Sequence, residues 1–190
     1  MQIPVFARPV IHELGDGRAH AIVDDIAPYL QHDDRVLEIG AGSCQVSTVL
    51  MAKSFDVTMV DVVDKSLIDG VSPIVYDGKH LPFRDREFDV ALFLNVLHHI
   101  ADPDAALREA KRVARRIVIH EDIYNSIWQK YLTFGMDSVT NLEFIGHPHT
   151  NRDDAGWKQT FAAHDLTLVD AKYKHFWKCF ANATYCVEAS

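Results

Sequence analysis

Five short and nearly unbroken apolar runs recur along the chain, and each stops at a glycine or a polar residue. They are residues 35–40, 57–61, 73–77, 88–95 and 117–120. Runs this short and this apolar read as strands buried on both faces. Helical patterns separate them. Ala19, Ile22, Val23, Ile26 and Leu30 share one face of a helix expected over 18–30, which Pro28 ends or bends early. A second helix is expected from about Gln45 to Lys53. A third opens with Asp102 as N-cap and Pro103 at the first helical position. Its apolar stripe is Leu107, Ala110, Val113 and Ala114, and the basic run Lys111–Arg116 is expected at its carboxyl end, where cations suit the dipole. Only residues 62–72 separate the second and third strands, so a helix there is two turns or less. Leu166–Trp177 and Phe180–Ala189 are two strand-like runs too close together for anything but an antiparallel hairpin. The pattern predicts an α/β, doubly wound, mostly parallel seven-stranded sheet with an antiparallel C-terminal pair at its edge.

A chain of 190 residues with 48% hydrophobic and 24% charged residues reads as one globular domain. No apolar run approaches the roughly 20 residues that span a bilayer. The start, MQIPVFARPVIHELGDG, lacks the basic opening and apolar core of a signal peptide. A cytoplasmic protein is expected. With 19 basic against 27 acidic residues and a net charge of −8, nucleic acid is an unsuitable partner. Cys44, Cys179 and Cys186 are odd in number and lack metal-site spacing, which fits reduced thiols.

The strand ends carry the chemistry. They present Glu38 with Gly40-Ala41-Gly42, then Asp61, Asp77, Asn95 and His120-Glu121-Asp122. Open α/β sheets bind ligands outside the carboxyl ends of their strands. Gly40 and Gly42 leave room for a ligand to approach the backbone, and a helix N-terminus follows. Asp61, 21 residues after Gly40, can accept both hydroxyls of a ribose. A nicotinamide dinucleotide shares these needs, but Gln45 stands where its fingerprint places glycine or alanine.

VLEIGAGS at 36–43, VTMVD at 57–61, YDGKHLPF at 76–83, FDVALFLNVLHHI at 88–100 and the Asp102-Pro103 helix resemble the class I S-adenosylmethionine (SAM) dependent methyltransferases, in order and spacing. The resemblance covers residues 18–122, and NRDDAGWKQTF at 151–161 looks like the helix before that family's terminal hairpin. It implies a Rossmann-like fold, SAM as cofactor and S-adenosylhomocysteine (SAH) as product. It also implies roles. Glu38 serves the methionine ammonium. Gly40, Ala41 and Gly42 underlie the methionyl part. Asp61 takes the ribose, and Val62 packs on the adenine. Asp77 accepts from the adenine amine, and the amide of Gly78 or Lys79 faces a ring nitrogen. Asn95 meets the methionine end through its carbonyl, and Leu81-Pro82-Phe83 form an apolar wall. Two departures stand out. Cys44 replaces a glycine common two residues after Gly42, and the connection after Asp61 is short.

SAM brings an already activated methyl, so positioning and removal of an acceptor proton are what remain. His120 and His98 are the candidate catalytic bases, with His99, Glu121, Asp122, His147 and His149 nearby in sequence. His98 or His99 equally suits a structural or cofactor-capping role. The spacing of His120, Glu121, His147 and His149 matches no metal site, so no metal is expected. Residues 123–150 form the longest insert, with Ile123, Tyr124, Ile127, Trp128, Tyr131, Leu132 and Phe134 apolar or aromatic. They read as a helix packed on the sheet end or as a lid over an apolar or aromatic acceptor. The expected function is methyl transfer to oxygen or nitrogen of a small organic acceptor. A non-catalytic SAM-binding protein and an NAD(P)-dependent oxidoreductase are the alternatives.

Overall fold

The computed structural model describes the backbone of residues 8–123, 152–176 and 180–189, with side chains over 15–123, 152–175 and 181–189. Its centre is a seven-stranded sheet. The strands are β1 (Arg35–Ile39), β2 (Asp56–Asp61), β3 (Ile74–Val75), β4 (Phe88–Leu94), β5 (Ala114–Ile123), β6 (Leu166–Phe176) and β7 (Phe180–Ala189). Their spatial order is β3-β2-β1-β4-β5-β7-β6. The first five run parallel, and β7 is antiparallel to both β5 and β6.

Apolar sequence decides which strands sit innermost. Val36, Leu37 and Ile39 of β1 and Val90–Phe93 of β4 are almost wholly buried. Alternate residues feed two cores. Val36, Val90, Leu92 and Val118 pack with α1 (Arg8–Ile26) and α2 (Gln45–Ala52) on one face. Leu37, Ile39, Ala91, Phe93, Ile117 and Ile119 pack on the other with α3 (Pro103–Val113) and α4 (Asp154–Ala163). Asp102 caps α3 by accepting from the Ala105 amide at 2.9 Å, and Asp153 caps α4 by accepting from Gly156 at 2.7 Å. On α4, Trp157 and Phe161 stack, and Phe161 meets Tyr185 of β7 edge-on at 5.3 Å. The Asp154 carboxylate accepts from the hydroxyls of Tyr173 and Tyr185, fastening this helix to the hairpin.

Several boundaries differ from the sequence reading. The first α-helix stops at Ile26, and Pro28 sits in a 3-10 turn over Ala27–Tyr29. β3 is two exposed residues rather than 73–77, because among the described residues it has one neighbour, β2, and no cover on its faces. No helix forms over 62–73. Asp64 and Ser66 instead fold this connection by accepting backbone amides of Ser66 and Ile68. β5 extends well beyond 117–120, because β7 pairs with it from Arg116 to Ile123. The basic run is split: Lys111 and Arg112 end α3, while Arg115 and Arg116 already belong to β5. Among the described residues, no helix is long and apolar enough to cross a membrane.

Leu107 of α3 is fully buried in the second core. Leu107→Ala is expected to lower the unfolding free energy by about 2–5 kcal/mol, read from urea denaturation with an unchanged slope.

Candidate functional site

The carboxyl ends of β1, β2 and β4 converge on the glycine turn. Gly40 has φ +78°, and a Cβ there would lie 2.3 Å from Cγ2 of Val96, just past β4. Glycine is therefore needed for both conformation and space. The Gly40 and Ala41 amides donate to the carbonyl of Val60, which ties the turn to β2. Gly42 has φ +51° with open space beside it, and its amide donates to Oδ2 of Asp61 at 2.8 Å. Cys44, the N-cap of α2, also lies in the left-handed region at φ 61°. That explains why glycine suits this position, and the buried thiol takes it at a cost of about 1–2 kcal/mol.

Four acceptor groups stand at or just past the ends of β1, β2, β3 and β4. Glu38 is 2% exposed, and its Oε2 accepts from the Ser47 hydroxyl. Burial pushes its carboxyl up to about 7, partly opposed by Ser47. Ser47, fully buried on α2, is not among the residues that the sequence points to, because nothing local distinguishes it from Gln45 and Thr48 of the same helix. Asp61 accepts from the amides of Val62 and Val63 at Oδ1. Asp77 is exposed, and its Oδ1 accepts from Lys79 and His80 amides. The His80 and then the Lys79 hydrogen bonds hold its carboxyl below the ordinary range. The Lys79 amide is thus committed, which leaves Gly78 as the amide of the pair that can face a ligand. Gly78, at φ +74°, comes close to the exposed Val62: a Cβ there would lie 2.9 Å from Cγ1 of Val62. Asn95 ends β4 at φ +53°, and its Oδ1 is buried with no hydrogen-bond partner among the described residues. The 81–83 wall is held from α3. Arg112 donates to the carbonyls of Leu81 and Phe83, and Glu109 accepts from the Leu81 amide.

The histidines separate. His120 and Glu121 are neighbours on β5 and point to opposite faces of the sheet. His120 is 3% exposed, its Nδ1 2.8 Å from the Thr184 hydroxyl oxygen and its Nε2 3.4 Å from Nδ2 of Asn182. Desolvation lowers its pKa. Asn182 also donates to Asp122. Glu121 turns to the other face. Its Oε1 accepts from the Val96 and Leu97 amides at 2.9 and 2.7 Å, and its Oε2 lies 2.6 Å from Nδ1 of His98. Beyond the polarity of the strand end, no local pattern points to this clamp. His98 and His120 are therefore not brought together. Among the described residues no group of His, Cys, Asp or Glu could hold a metal. His147, His149 and residues 124–150 of the insert lie outside the described residues.

Residues 37–117 match the family model described as "Methyltransferase domain". A demethylmenaquinone methyltransferase of Corynebacterium glutamicum is 32% identical over 117 residues, 54% of this chain and 50% of that protein. The chain spans about half or less of the length of the curated relatives it matches. A SAM-dependent methyltransferase of Methanosarcina mazei superposes with TM-score 0.67 at 19% identity, over 86% of this chain and 96% of that one. Magnesium protoporphyrin IX methyltransferase of Synechocystis, crystallised with SAH, gives 0.65 at 14% identity, over 100% and 90%. The resemblance read from the sequence holds for the fold and for the central segment.

Two predictions arise from this geometry. Gly40→Ala must strain φ and displace Val96, so it should lower stability by about 2–4 kcal/mol in urea denaturation. Gly42→Ala meets only the strain and should lose about 1–2 kcal/mol. The second concerns Glu38. Its folded pKa lies above the unfolded value, so its contribution is full below pH 4.5 and lost as pH rises through about 7. Glu38→Gln removes that dependence. The stability of the variant relative to the parent should therefore rise between these pH values, by on the order of 3 kcal/mol, in denaturation curves taken across the range.

Proposed function

We propose that this chain, whose fold and central segment are those of the class I SAM-dependent methyltransferases, transfers a methyl group from SAM to a small organic acceptor by direct displacement. The observation that carries the reading is the ring of acceptors at adjoining strand ends, completed by the buried Oδ1 of Asn95, which has no partner among the described residues. The donor set fits SAM. Glu38 supplies a buried carboxylate for the methionine ammonium. The Asp61 carboxylate has about four lone-pair directions, of which two short amide contacts and one at 3.3 Å take three; the last yields to a ribose hydroxyl. Asp77 offers Oδ2 to the adenine amine, the Gly78 amide faces a ring nitrogen, and Val62 lies against the ring. SAM supplies a methyl on a sulfonium, a good leaving group without further activation. The residues of the chain bind, orient and exclude water.

The reading takes 1–190 as one methyltransferase unit that includes the insert 123–150. Its aromatic composition, and the demethylmenaquinone methyltransferases among the relatives, support an apolar or aromatic acceptor. Methylation falls on oxygen or nitrogen. The net charge of −8 supports a partner other than nucleic acid.

Isothermal titration with SAH, and with NAD in parallel, tests the reading. Micromolar SAH binding is expected, weakened about tenfold or more by Asp61→Asn, which removes a charged acceptor. NAD binding without SAH binding would overturn it and favour the dinucleotide alternative.

A further inference from the structure

Residues 76–87, between β3 and β4, form no helix or strand, yet they carry Asp77 and Gly78. Backbone groups in such a segment need partners from elsewhere. Here the partners come from α3. Arg112 donates to the Leu81 carbonyl at 3.0 Å, to the Phe83 carbonyl at 2.8 Å and to Asp85 at 3.0 Å. Its Nε and Nη2 also grip both carboxylate oxygens of Glu109, one turn back on the same helix, at 2.9 and 2.7 Å. A guanidinium has five N–H groups, and these contacts use each of them once. Glu109 in turn accepts from the Leu81 amide at 2.9 Å, and its Oε2 lies 3.0 Å from Nδ1 of His80. The amides of His80 and Lys79 hold Oδ1 of Asp77 at 2.9 and 2.8 Å. A chain of short contacts thus runs from Arg112 through Glu109 and residues 80–81 to the Asp77 carboxylate. Asp77 is exposed, so these bonds rather than packing orient it.

We propose that Arg112 is a positioning residue that sets the purine preference of the cofactor site by fixing Asp77 through this chain. The inference rests on the methyltransferase reading, in which Asp77 accepts from the adenine amine. With every N–H spent, Arg112 has no donor left for a ligand, so it acts through residues 77–83. A purine that carries an amine donates to a fixed carboxylate. A purine that carries a carbonyl there sets one acceptor against another and is rejected. Loosening the segment spreads the carboxylate over many orientations. The amine then loses its bond, and the carbonyl loses its repulsion. Lysine cannot replace Arg112, because a single ammonium lacks the planar fork that meets five acceptors at once. An arginine that only stabilised the fold would change affinity for both purines alike.

The test is isothermal titration with SAH and with S-inosylhomocysteine, which carries a purine carbonyl in place of the amine. The parent protein is expected to bind SAH about tenfold or more tighter than the inosyl compound. In Arg112→Met, SAH binding should weaken about tenfold and the ratio of the two affinities should fall to about twofold or less. Arg112→Lys should lie between, and it carries the test if the methionine variant does not fold. Partial unfolding lowers both affinities by the same factor, so the ratio reads positioning alone. Asp77→Ala should abolish the preference by itself, and adding Arg112→Met should then weaken SAH by less than about twofold more. Without any ligand, exchange of the Lys79 and His80 amides should quicken about tenfold in either Arg112 variant, while the amides of β1 and β4 keep their rates. Equal loss of both ligands, additive losses in the double variant, unchanged amide exchange, or a parent protein that binds both compounds alike overturns the proposal. A parent protein that binds neither brings down the methyltransferase reading itself.

Discussion

The carboxyl ends of β1 and β4 touch at Gly40 and Val96, and the site depends on that contact. A side chain at Gly40 would push the two strand ends apart, since its Cβ would lie 2.3 Å from Val96. With the contact made, the glycine turn, Asn95 and the His98 turn form one continuous shelf. The shelf is held from beneath by carboxylates on neighbouring strands. Asp61 on β2 accepts from Gly42, and Glu121 on β5 accepts from Val96 and Leu97. Each side of the contact is thus fixed by an acid from the next strand outward. Fixed donors and acceptors of this kind hold a ligand without reorganising when it arrives.

The strands and the order of polar ends were legible because buried parallel strands leave an apolar signature that surface elements do not. β1 and β4 read clearly for that reason, and so did α3, whose Asp102-Pro103 start is local chemistry. What failed depends on neighbours. β3 is short because β2 is its one partner, and β5 is long because β7 pairs along it, neither of which its own residues declare. The site divides in the same way. Glu38, Asp61, Asp77 and Asn95 could be named from strand ends alone. Ser47 on α2 could not be connected to Glu38 without the packing of helix on strand.

Strand parity explains why the histidines were the hardest to read. In sequence, His120-Glu121-Asp122 is one polar cluster. On an extended strand it is two. His120 and Asp122 turn to one face, where Thr184 and Asn182 of β7 occupy them. Glu121 alone turns to the other and reaches across to the turn after β4. His120, expected at the acceptor side because it ends the fifth strand, is held by Thr184 and Asn182. The period of two along a strand separates such residues by the thickness of the sheet.

The same geometry bears on the charge of the ligand. A dinucleotide presents a pyrophosphate to the glycine turn, and its anionic oxygens need free amides there. In this chain the Gly40 and Ala41 amides are spent on Val60, the Gly42 amide on Asp61, and the Cys44 amide on Ala41. A buried carboxyl group, Glu38, lies on the strand beneath. An approaching pyrophosphate would meet acids where it requires donors. A ligand carrying an ammonium and a sulfonium meets the reverse. The cation would favour the ionised form of Glu38, offsetting the desolvation that now pushes its carboxyl up to about 7. Backbone carbonyls and Asp61 therefore occupy the Gly40, Ala41, Gly42 and Cys44 amides, while the buried Glu38 favours a cation over an anion beside them, an asymmetry that the glycines alone do not supply.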